Sequence, residues 1–147
     1  MKTIAKRATI MLASLGASMI PSFALAQVTA PASGTYSGLV SFQQSLAFNC
    51  NLGLTVDATA NTVAVSLTPG NLACASLSFI GNPYSYTFDP VTGDFTAIGV
   101  YIQPLFPNDC AGNLTAVWDD AAQEFLISAI LPPAGGTVSC HIEGAAS

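Results

Sequence analysis

Eight carboxylates, four cysteines and one histidine are the side chains of this 147-residue sequence best placed to do chemistry. Nucleophilic catalysis asks for a Ser or Cys with a base within hydrogen-bond reach. His141 is the only imidazole; it directly follows Cys140, and the sequence contains no G-x-S-x-G elbow. It reads as a histidine on the exposed face of a late strand. Paired carboxylates are the better enzymatic candidate, since a glycosidase needs only two acids roughly 5–10 Å apart. Asp119 and Asp120 are adjacent, so on a strand they point to opposite faces. Asp89 and Asp94 flank a Pro/Gly turn, where Asp is ordinary turn chemistry. Their oxygens could meet a calcium ion, but the spacing matches no EF-hand loop. Cysteine spacing shows no close C-x-x-C pair, which disfavours zinc. These residues predict no catalytic group, no metal site and no cofactor.

The elements that would position such groups are written around the cysteines. Cys50 is followed by Leu54-Thr55-Val56-Asp57, a break at Ala60-Asn61, then Thr62 to Thr68, a Pro69-Gly70 corner and Cys74. Cys110 is followed by Leu114 to Asp120, then Glu124 to Leu131, a Pro132-Pro133 corner and Cys140. Both read cysteine, strand, polar turn, strand, corner, cysteine, and each is expected to be a disulfide-stapled hairpin. Cys50–Cys74 and Cys110–Cys140 are therefore the favoured bridges; Cys50–Cys140 with Cys74–Cys110 is the alternative. Each favoured bridge is worth roughly 3.5 kcal/mol in the chain-entropy account.

Period-two alternation runs through the rest. Tyr36, Gly38, Val40 and Phe42 share one face, as do Leu46, Phe48, Cys50, Leu52, Leu54 and Val56. Strands are expected at 77–80, 84–88 and 95–103, separated by Gly81-Asn82-Pro83 and 89–94, and a last one at 137–143 before a short polar tail. The stretch 119–130 resists. Its apolar residues at 121, 122, 125, 126, 129 and 130 have helical spacing, yet Phe125, Ile127, Ala129 and Leu131 also alternate. A hairpin is favoured there over a helix, on the match to the first cysteine-bounded unit. The expected fold is all-β: a single-domain antiparallel sandwich or flattened barrel of about seven to nine strands with two disulfides.

Residues 1–26 read as a secretory signal, with Lys2, Lys6 and Arg7, an apolar run from Ala8 to Ile20, and an Ala24-Leu25-Ala26 cleavage site. Residues 27–33 read as a flexible leader and 34–147 as the β domain. The signal holds every Lys and Arg, while all eight acids follow residue 50. The remaining 121 residues (147 − 26) thus have no cation to neutralise phosphate, which excludes nucleic acid as a partner. A periplasmic, cell-surface or extracellular location is expected. Aromatic residues gather between the two units; most should be core. Tyr84, Tyr86 and the tip Leu105-Phe106, held between Pro104 and Pro107, are the candidates for apolar contact.

Three stretches carry a family resemblance: Phe48-Asn49-Cys50 with Leu54 to Thr59, Asn108-Asp109-Cys110 through Trp118, and Leu131-Pro132-Pro133 with Cys140-His141-Ile142-Glu143-Gly144. In these the chain resembles the small exported bacterial proteins called protein activators of alkane oxidation. The resemblance implies a non-catalytic accessory protein linked to growth on hydrocarbons, and it supplies no binding residues. The expected partner is an apolar small molecule or a cell-surface component. The alternative is a structural subunit of a surface fibre or biofilm matrix, self-associating through strand edges.

Overall fold

The computed structural model of the chain describes residues 24–68, 72–103 and 107–147. Residues 1–23 of the expected signal segment lie outside the described residues, as do the Pro69-Gly70 corner and Leu105-Phe106. Among the described residues ten strands are formed: β1 Gly34–Gln43, β2 Ala47–Asp57, β3 Thr62–Thr68, β4 Ser78–Ile80, β5 Tyr84–Phe88, β6 Asp94–Gln103, β7 Asp109–Asp119, β8 Glu124–Leu131, β9 Pro133–Ala134 and β10 Cys140–Ala146. One helical turn, α1 Leu72–Ala75, stands where only a corner was expected.

Eight of the strands close into an antiparallel barrel in the order β6-β5-β3-β2-β1-β10-β8-β7, with β7 pairing back onto β6. β4 and β9 are short additions on β6 and β7. The flattened-barrel form of the expected fold is thus the one adopted. Alternation does the work: Leu52, Leu54 and Val56 on β2, Val63 and Val65 on β3, and Phe125, Ile127, Ala129 and Leu131 on β8 all point into one buried core. Ser, Thr, Asn and acidic residues stand mainly outside, the reverse of an outer-membrane barrel. No helix among the described residues is long and apolar enough to cross a membrane.

Residues 119–131 form the hairpin, with Asp119 paired to Glu124. The helical spacing has a physical source. Leu126 and Ile130 stand on the outer face of β8, so both parities of one strand are apolar. Two smaller expectations fail. Leu46 does not share the inner face of β2 but sits exposed in the β1–β2 turn. The supposed polar tail is strand, because β10 runs to Ala146 and Ser147 exchanges two backbone bonds with Ser37, both 3.1 Å.

Both favoured disulfides are formed, Cys50–Cys74 and Cys110–Cys140, with Cα–Cα separations of 5.7 and 6.0 Å. Neither is a staple within one hairpin. Cys74 lies on α1, folded back over β2, and Cys140 lies on β10, so its bridge to β7 spans the intervening β8.

Antiparallel order puts three hairpin turns, at 58–61, 89–93 and 120–123, at one end of the barrel. Each has an Asp four residues before a positive-φ residue: Asp57 and Asn61 (φ 53°), Asp89 and Gly93 (φ 79°), Asp119 and Gln123 (φ 55°). The Asp carboxylate accepts from turn amides, which fixes the chain reversal. Both disulfides lie toward the opposite end.

Candidate functional site

The turn carboxylates, among them the pairs weighed for catalysis, accept hydrogen bonds that hold the reversals. Asp57 Oδ1 accepts from the amides of Thr59 and Ala60, and Asp119 Oδ1 from those of Ala121 and Ala122, all at 3.0 Å. Asp89 Oδ1 accepts from Val91 at 2.8 Å, and Asp94 Oδ2 from the Thr92 hydroxyl at 2.7 Å. Asp120 turns the other way and accepts from the amide of Thr29 at 2.9 Å. His141 is exposed on β10 beside Gln43 and Ile130. Among the described residues, no three His, Cys, Asp or Glu side chains converge as a metal site.

Of the apolar contact candidates, Leu105 and Phe106 lie outside the described residues. Tyr84 is buried, its hydroxyl donating to the carbonyl of Ile80 at 2.7 Å. Tyr86 is half-buried and stacks on Phe95 at 4.5 Å. Both rings serve the core, and burial raises both phenol pKa values above their ordinary range. Tyr36, Trp118, Phe125 and Phe95 continue this aromatic cluster toward the turn end, with centroids 4.7 to 5.3 Å apart.

Residues 27–33 cross that end and bond to all three turns. The Val28 amide donates to Pro90 O at 2.7 Å, the Thr29 amide to Asp120, and the Ser33 hydroxyl accepts from the Ala58 amide at 2.9 Å. The Trp118 indole donates to Thr29 O at 2.8 Å, which satisfies the one polar atom of an otherwise buried ring. Pro31, within this strap, is buried.

The outer wall carries the feature that sequence reading missed. Register pairs Val117 of β7 with Leu126 of β8, and Leu126 with Ala145 of β10. Leu39 of β1 follows, next to Val40, which pairs with Gly144. One apolar row therefore crosses four strands on the solvent side, with Leu39 60 %, Leu126 47 % and Val117 43 % exposed. On β6 the row ends at Asp94, the partner of Val117. A shallow groove of about 380 Å³ opens at this end, lined by Val117 and Leu126 together with Asp94, Thr96, Thr115 and Ser128. The signal was present in the sequence. A strand of a closed barrel needs one apolar parity, and β8 has two.

A family model described as alkane oxidation protein activator, PraA/PraB-like, matches residues 1–147, the whole chain. Neither a curated protein nor a solved structure matches it.

Proposed function

The chain belongs to the family of PraA/PraB-like alkane oxidation protein activators, and from that membership we propose that it is an exported accessory protein that aids cellular contact with, or uptake of, apolar substrate without catalysing its conversion. The family match over the whole chain carries the reading. Several features support the finer parts. The N-terminal 26 residues have the charge, apolar run and A-x-A end of a secretory signal. Two cystines suit an oxidising compartment. The turn carboxylates are engaged in holding the fold, and the outer wall presents an apolar row to solvent.

Deleting the gene in the producing organism should slow growth on a long-chain alkane and leave growth on acetate unchanged. Supplying the purified protein in the medium should restore it. Unchanged growth on alkane after deletion would remove the reading.

The alternative, a fibre subunit joined by edge pairing, has a weaker physical route. The sheet closes on itself and, among the described residues, its open sides are short: β4, β9 and the part of β3 past its two-residue ladder with β5, where Asn82 covers Val65.

A further inference from the structure

We propose that the row Leu39–Ala145–Leu126–Val117, with the groove at its β6 end, is a binding site for an uncharged linear alkyl chain. This rests on the apolar-contact reading above and gives it a location. The row is one side chain wide and spans three inter-strand steps, roughly 14 Å. That shape suits a chain and not a second protein, because a stable dimer covers about 800 Å² on each partner. Four side chains fall short of such a face. The polar residues on either side, Ser128 and Thr115 among them, set the width and keep an apolar occupant aligned across the strands.

Charge decides the head group. Asp94 closes one end of the row, and Glu143 stands on the same outer face, two residues before Ala145. The chain has no Lys or Arg after residue 7, so no permanent cation in the barrel can neutralise a carboxylate or sulfate. An anionic amphiphile meets like charge at close range, whereas a hydrocarbon or alkyl ether does not. The site therefore favours the neutral, unoxidised chain over its fatty-acid product. That selectivity would let it carry substrate without being occupied by product.

The test is saturation-transfer NMR on the purified protein at neutral pH, with octyl glucoside below its micelle concentration and octanoate as probes. Wild type and a Leu72→Asp control, remote from the row, should transfer saturation to the octyl methylenes. Leu126→Asp and Val117→Asp should lose the transfer at least fivefold, with the thermal midpoint of each checked against wild type. Octanoate should give at least fivefold less than octyl glucoside, and Asp94→Asn should narrow that gap. Equal binding by the row variants, an equal loss in Leu72→Asp, or octanoate binding as well as octyl glucoside would each overturn the site. So would dimerisation through the row without probe binding. Should the row variants restore growth of a deletion strain on alkane in full, the site falls while the accessory function stands.

Discussion

The side-chain amide of Asn82 and the peptide group of Val65 exchange two hydrogen bonds: Val65 N donates to Oδ1 at 2.8 Å, and Nδ2 donates to Val65 O at 2.7 Å. Asn82 thereby stands in for a strand residue where the β3–β5 ladder, only Thr62–Ser85 and Val63–Tyr84, runs out. Asn108 repeats the device on Val138, at 3.3 and 3.0 Å. Barrel closure at its thinnest seam therefore depends on a side chain. Asn82→Ala should cost roughly 1–2 kcal/mol, with Asn82→Asp intermediate because it keeps the acceptor. Chemical denaturation measures this, and a stability equal to wild type would show the seam to be held by other means.

Trp118 links the core to the strap. Trp118→Phe removes the donor to Thr29 O and some ring volume, a loss of roughly 1–3 kcal/mol. Amide exchange of Val28 and Thr29 should accelerate more than that of the β1–β2 ladder. Uniform acceleration over both would mean the strap has no local anchor at this residue.

Gly38 is required by close approach. A Cβ there would overlap the Ala145 carbonyl on the facing strand, whereas one at Gly34 meets nothing within 4 Å. Gly38→Ala should destabilise by about 1–3 kcal/mol, and Gly34→Ala should be near neutral. Paired thermal melts compare them directly; equal midpoints would refute the crowding argument at the β1–β10 contact.

Alkali should unfold the barrel. All four tyrosines have phenol pKa values raised above the ordinary value of about 10. For Tyr36, Tyr84 and Tyr86 the leading cause is burial; for Tyr101 it is the hydrogen bond its hydroxyl donates to Asp109, 2.7 Å. The fold favours the protonated phenol. Its contribution is whole below the unfolded value and is lost as pH rises through the raised folded values. Tyrosinate absorbance should therefore lag that of the denatured chain and rise together with loss of the far-UV β signal. Titration at the free-phenol value with the fold intact would contradict this.

Much of the barrel was legible because its strands obey a two-residue period. Leu52, Leu54 and Val56 announce their face, and the cysteine-bounded units gave the correct bridges. What was illegible depends on partners distant in sequence. Nothing near Cys140 says that it belongs to a strand beyond β8 from Cys110. Nothing in residues 27–33, which are small or polar apart from Val28 and Pro31, shows that three separate reversals will receive them. The outer row was hidden for a different reason. Leu126 and Ile130 share helical spacing with Phe125 and Ala129, and that spacing masks them as the second face of a strand.

Six of the eight acids, Asp57, Asp89, Asp94, Asp119, Asp120 and Glu124, lie at or beside the three reversals, far from the cystines. The molecule is thus electrically lopsided. Near any negatively charged film, whether an envelope or an oil droplet coated with acidic surfactant, torque turns the acid pole toward water. The cystine pole then leads the approach, and the barrel axis stands upright on the film instead of lying along it.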